Sequence, residues 1–351
     1  MRAANGSGVL FRRVVRPALF SLEPERSHKV ARFGLRHPHL WTSLANRLLI
    51  DDRRLATRLG SLVLKNPVGL AAGFDKDGDM VDSLQCLGFG SVTIGSILPE
   101  PRSGNPRPRI ARYPTEMAVA NCLGLPSRGA NYVEHRLCER KLRTVPVIAS
   151  IQGFTIEGFR RCAAAVGPQV DGIELSVSCP NVVEEHEDFL EPERCERLIS
   201  SLGAEGAKPT LVKIPFYDTA AERDRRLELV SRALRLGVAG FTVSGTFTRS
   251  EPRLSIGRAN VSGGPSRDRT LSFVRDLWEV TEGKAIIKAS GGMSSGADAY
   301  AAISAGATAI ELLTGFIYGG WRVARSINAE LLELMERRGF DSVEELRGSS
   351  A

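Results

Sequence analysis

Residues 285–315, AIIKASGGMSSGADAYAAISAGATAIELLTG, decide how this chain folds. A short apolar run (AIIKAS, 285–290) ends at the pair Gly291 and Gly292. A helix-like stretch (SGADAYAAISA, 295–305) follows and is stopped by Gly306, and a second apolar run (TAIELLTG, 308–315) closes the unit. Apolar runs that are continuous rather than alternating mark strands buried on both faces, as in a parallel sheet. The unit is therefore read as strand–helix–strand.

The same rhythm extends back to about residue 67. Further runs are VGLAA (68–72), SVTIGS (91–96), PVIASI (146–151), DGIELSV (171–177), PTLVKI (209–214) and AGFTVSG (239–245). With the two above they make eight. Between them, 219–236 repeats apolar residues every three or four positions and stops at Gly237. Eight strands alternating with helices predict an α/β fold, a (β/α)8 TIM barrel with a small N-terminal helical extension. A doubly wound open sheet is the alternative. The expected division is an amphipathic helical extension over 1–48, the barrel over 49–340 and a polar, frayed tail over 341–351. Residues 100–114, rich in Pro and charge, are expected to form a long loop after the second strand.

Composition is that of an ordinary globular protein, 42% hydrophobic and 25% charged. The six cysteines form no CxxC pair and no metal-ligand spacing, and no signal peptide is evident, which favours a reducing compartment and no metal site. No apolar run reaches the roughly 18–20 residues of a membrane span. The net charge of +7 belongs to the N-terminus, since residues 1–60 hold twelve Arg/Lys against four Asp/Glu. Basic and aromatic residues are not interleaved on a folded domain, which argues against nucleic acid. VVRPALFSL (14–22) leads into PERSHKVARFGLRH (24–37), which places Leu22, Val30, Phe33 and Leu35 beside Arg26, Lys29, Arg32 and Arg36. Either this arm is simply solvated, or it rests on anionic lipid headgroups as a peripheral attachment.

In such barrels the chemistry sits at the C-terminal ends of the strands. Small residues there let backbone N–H groups approach a planar or phosphorylated ligand. Ser-Gly-Gly after strand seven and Leu-Thr-Gly after strand eight form a phosphate cradle, completed by a short helix after strand eight; a Gly pair alone also serves plain tight turns. Lys76 and Lys213 lie near strand ends, where an anionic ligand or a flavin would explain both; the bland reading pairs a lysine with a carboxylate such as Asp75. Cys179, in SVSCPN after strand four, is either inert packing or a proton acceptor once nearby cations favour its thiolate.

At this point a likeness becomes specific. NPVGLAAGFDKDG (66–78), GFGSVTIGS (88–96), GNPRPR (104–109), SCPN (178–181), LVKI (211–214) and GATAIELLTGFIYGG (306–320) resemble the dihydroorotate dehydrogenases, over about 16–332. The segment RPALFSLEPERSHKVARFGLRH is similar to the helical extension of their class 2, quinone-using, membrane-associated members. The resemblance implies FMN as cofactor, dihydroorotate or an analogue as substrate, a quinone acceptor and a place on the cytoplasmic face of a membrane. It implies that Ala72, Gly73, Lys76, Ser96, Ser150, Ser176, Lys213, Ser244, Gly291, Gly292, Leu313, Thr314 and Gly315 line FMN. Lys76, Asn121, Leu123, Gly124, Leu125, Asn181 and Thr246 are implied to face the substrate, with Cys179 as the base.

The chain departs from that pattern in a cluster. Class 2 members use Ser as base, and Cys belongs to class 1. Family asparagines are replaced by Ser150, Ser176 and Gly245, and others by Pro126 and Ser127; a Gly that usually touches the FMN phosphate is replaced by Arg267. Those amides read the pyrimidine and the flavin, and each matched buried amide contributes about 1–3 kcal/mol to discrimination. The alternative reading therefore keeps the barrel and FMN but gives the enzyme a different small unsaturated or carboxylated substrate.

Overall fold

The computed structural model describes residues 10–178, 187–203 and 208–351. All eight predicted runs are strands: Val68–Leu70, Ser91–Ile97, Val147–Ile151, Gly172–Ser176, Thr210–Pro215, Gly240–Ser244, Ile286–Ser290 and Ala309–Leu312. Each pairs in parallel with its neighbours in chain order, and the eighth pairs with the first through Ile310–Val68 and Leu312–Leu70. The sheet is closed, so the fold is a (β/α)8 barrel and the open-sheet alternative falls away.

The outer helices form where periodicity and capping agree. Ala220–Arg235 starts at Thr219, whose hydroxyl accepts from Glu222 N while the Glu222 side chain returns to the Thr219 backbone. Gly296–Ser304 starts in the same way, with Ser295 and Asp298. Below the barrel, the hairpin Thr57–Leu59/Leu62–Leu64 packs Leu59 and Leu64 on Ile148, Leu211 and Ile286. The bottom is plugged with apolar side chains.

Two expectations need correction. The stretch 100–114 is not loop throughout: Ile110–Tyr113 is a strand, paired with Ala118–Asn121, which pairs with Arg258–Gly263 and then Phe247–Ser250. This antiparallel sheet grows from the loops after strands two and six around Ala118, Ala120, Ala259 and Val261. The tail is not frayed either. Val343–Leu346 is helical with both end residues buried, and Arg347 donates to Ala285 O and Gly348 N to Ile303 O.

Before the barrel come short helices, including Arg16–Phe20, Pro24–Leu35, His39–Thr42 and Ala45–Leu48. Glu23 caps the longest of them by accepting from Glu25 N and Arg26 N. None of the described helices is long and apolar enough to cross a membrane.

Candidate active site

One cavity of about 730 Å³ runs from the N-terminal helices to the C-terminal ends of the strands. That size is in the usual range for a cofactor or substrate pocket. At the barrel end it is lined by Ala72, Gly73, Lys76, Asn121, Leu123, Lys213, Ser244, Thr246, Gly291, Gly292, Leu313, Thr314 and Gly315. Most residues expected at the site are thus brought together. Ser96, Ser150 and Ser176 end or sit within strands two, three and four beside it without lining it. Gly124 and Leu125 lie just outside, where the Gly124 carbonyl accepts from Arg102 and Leu125 packs on Leu98. Cys179 and Asn181 fall outside the described residues.

The cradle expected after strands seven and eight is formed. Gly291 and Gly292 hold φ of +125° and +76°, backbone that side chains rarely adopt. Thr314–Gly319 is the short helix after strand eight. Thr314 Oγ1 lies 2.8 Å from Ser262 Oγ, tying the cradle to the antiparallel sheet. Arg267 is occupied elsewhere, with Asp298 2.6 Å and Asp268 3.1 Å away.

Gly245 has no room for a side chain. A Cβ there would collide with the Ser290 carbonyl oxygen and with Gly291 Cα, and a Cβ on Gly291 would strike Gly245 Cα in return. The missing amide at this position therefore comes with a closed backbone contact between strands six and seven.

The charges are not arranged as Lys–Asp75 pairs. Asp75 is fully buried, its oxygens accept from Asp79 N and Met80 N, and burial pushes its carboxyl up to about 6. Lys213 instead has Glu174 for a partner, Nζ to Oε1 3.6 Å. Behind it lies Lys288, wholly buried, 2.9 Å from Glu174 Oε2 and 2.7 Å from Glu311 Oε1. Thr242 and Thr93 donate to those same two carboxylate oxygens at 2.7 Å. Burial alone would raise the Glu174 carboxyl, but Lys288 and Lys213 overcome it and hold the group down to about 2. The signal for this cluster is a charged residue inside each of three apolar runs, at Glu174, Lys288 and Glu311.

The other half of the cavity comes from the extension, and the sequence reading did not place it against the barrel. Phe11, Leu19, Phe20, His28, Leu35 and Trp41 line it together with Phe74, Phe316 and Trp321. His28 meets the edge of Phe74 at 5.3 Å; burial first, then Arg32 and Lys76, lower its pKa to about 4. Glu25, 7% exposed, holds Arg109 through two bonds of 3.0 and 2.9 Å and Arg107 at 2.8 Å. Arg112 donates to Phe20 O and Leu22 O and stacks over the Phe20 ring. These contacts fix the helices over the barrel mouth.

The barrel end suits FMN. Gly-rich backbone at strand ends seven and eight fits a phosphate, and Lys76 and Lys213 supply cations. The Ser150 hydroxyl, within strand three beside the cavity, is buried with no hydrogen-bond partner.

A family model described as dihydroorotate dehydrogenase matches residues 54–335. The dihydroorotate dehydrogenase (quinone) of Roseiflexus castenholzii is 33% identical over 356 residues, covering 96% of each chain. That of Halobacterium salinarum is 33% identical over 350 residues, covering 96% of this chain and 99% of its own. The mitochondrial dihydroorotate dehydrogenase (quinone) of Mus musculus is 33% identical over 378 residues, covering 98% and 91%. Among solved structures, DHODH from Eimeria tenella in complex with ferulenol matches with a TM-score of 0.80 at 28% identity, covering 93% of this chain and 95% of that one.

Proposed function

Since this chain belongs to the dihydroorotate dehydrogenase family, which is FMN-dependent, we propose that it oxidises dihydroorotate to orotate and passes the electrons to a quinone. The observation that carries this reading is the single cavity joining a phosphate-cradling barrel mouth to an apolar passage under the N-terminal helices. It offers one place for a polar substrate and another for an apolar acceptor.

FMN, when bound, supplies the hydride acceptor. The chain's own residues do the rest. Gly291, Gly292, Thr314 and Gly315 would hold the phosphate through backbone N–H and hydroxyl groups, and Ala72, Gly73, Ser244 and Leu313 would flank the ring system, with Ser96, Ser150 and Ser176 in the strands behind them. Lys213 and Lys76 offset negative charge at the ring and the substrate. Asn121, Leu123 and Thr246, together with Asn181, orient the substrate, and Gly124 and Leu125 support Leu123 from just outside the cavity. Cys179 removes the C5 proton, which a thiol with an ordinary pKa of about 8.5 does once cations favour its thiolate. His28 stays neutral and Phe74 beside it keeps the passage apolar, which suits a quinone ring.

Exposed Leu10, Val14, Leu22, Val30, Phe33 and Leu40 cluster on the extension among Arg12, Arg13, Arg26 and Lys29. An apolar surface rimmed with cations favours peripheral attachment to an anionic bilayer, from which a quinone enters the passage.

The closed Gly245–Gly291 contact favours a second reading, in which the same FMN enzyme takes another small unsaturated or carboxylated substrate. Anaerobic reduction of the flavin by dihydroorotate separates the two.

A further inference from the structure

We infer that Glu174 is a positioning residue for Lys213, fixing where that ammonium stands in the cavity and how much of its charge reaches a ligand there. This rests on the reading of the barrel mouth as the FMN site.

Barrel interiors are ordinarily layers of branched apolar side chains. This one holds a row of alternating charge: Lys213, Glu174, Lys288, Glu311. Glu174 and Lys288 are fully buried and do not line the cavity; Glu311, almost fully buried, reaches its wall, and the Lys213 side chain, at 16% exposure, opens onto it. A buried carboxylate is costly unless its oxygens are paired. Lys288 and Glu311 already form a balanced pair, so Glu174 is not needed to neutralise them.

The two oxygens of Glu174 have different surroundings. Oε2 is anchored to the barrel by Lys288 at 2.9 Å and Thr242 at 2.7 Å. Oε1 has no hydrogen bond, and Lys213 Nζ is the cation it faces, 3.6 Å away. Glu311 Oε2 is likewise buried without a hydrogen bond, so what sets Glu174 apart is the cation its free oxygen faces. Here one oxygen is held rigid and the other is directed at the one lysine of the row that lines the cavity. Glu174 thus restrains the Lys213 ammonium from below and offsets part of its charge, and Lys288 keeps Glu174 ionised.

The test is the midpoint potential of the holoenzyme flavin, measured by equilibration with reference dyes. Glu174→Gln keeps the shape and leaves the Lys288–Glu311 pair balanced, so Lys213 presents more positive charge to the flavin. The potential is expected to rise by at least a tenfold shift in the redox equilibrium, about 30 mV for a two-electron couple. A folded, yellow Glu174→Gln protein with an unchanged potential overturns the inference, whatever its melting temperature. If that variant does not fold, Glu174→Met carries the same expectation and the same contradiction. Wild-type protein that cannot be loaded with FMN takes down both this inference and the functional reading; a yellow wild type with an insensitive potential takes down this one alone.

Discussion

Gly245 and Gly291 close the ends of strands six and seven against each other so tightly that neither can carry a Cβ without striking the other's backbone. In the resembled family an asparagine stands at the first position. Restoring it by Gly245→Asn is therefore expected to harm the protein. Overpacking of this kind costs about 1–3 kcal/mol or more. Thermal unfolding and retained FMN per chain measure it; a variant as stable as wild type with tighter dihydroorotate binding contradicts the geometry.

Cys179→Ala is expected to leave FMN bound and to abolish flavin reduction by substrate. On the proposed reading this removes the proton acceptor and leaves the cradle after strands seven and eight untouched. Stopped-flow absorbance of the flavin gives the readout, and near-normal reduction removes Cys179 from the base role.

His28 makes stability depend on pH in a definite direction. Its folded pKa of about 4 lies below the ordinary value of 6.5, so between those limits the unfolded chain binds the proton and the folded one does not. Stability therefore falls as pH drops from about 6.5 towards 4. Replacing the ring by His28→Leu is expected to flatten that part of the profile. Denaturant unfolding at pH 7 and pH 4.5 checks it; an identical slope in both proteins rules the assignment out.

The eight barrel strands were legible because burial on both faces writes itself as continuous apolar runs, and the caps at Thr219 and Ser295 confirmed the helix starts. Ile110–Tyr113 was not, because it is a four-residue strand with one buried residue, Ala111, wedged between Pro108 and Pro114. The docked tail depends on only two apolar anchors, Val343 and Leu346, in a polar stretch. The cavity's strand-end residues could be read one run at a time. The Glu174–Lys288–Glu311 cluster could not, because it joins strands four, seven and eight across the barrel interior. Likewise, nothing in the spacing of His28 pointed to Phe74, 46 positions later.

Phe33, 71% exposed on the helix Pro24–Leu35, and Leu40, 54% exposed on His39–Thr42, stand on the extension without lining the cavity. Phe33→Glu with Leu40→Glu is expected to leave the fold and reduction by dihydroorotate intact. It is expected to weaken binding to anionic vesicles severalfold and to slow reduction of a long-chain quinone, while sparing a water-soluble dye acceptor. Vesicle sedimentation with both acceptor assays decides it, and unchanged vesicle binding contradicts peripheral attachment through this face.

The central claim is that this cavity holds FMN and oxidises dihydroorotate. Its most direct test is anaerobic mixing of the purified holoenzyme with dihydroorotate while the flavin absorbance is followed. Bleaching of the yellow colour, reversed on adding a quinone, is the predicted result. A yellow protein that stays oxidised at saturating dihydroorotate contradicts the account and turns the search to another substrate for the same barrel.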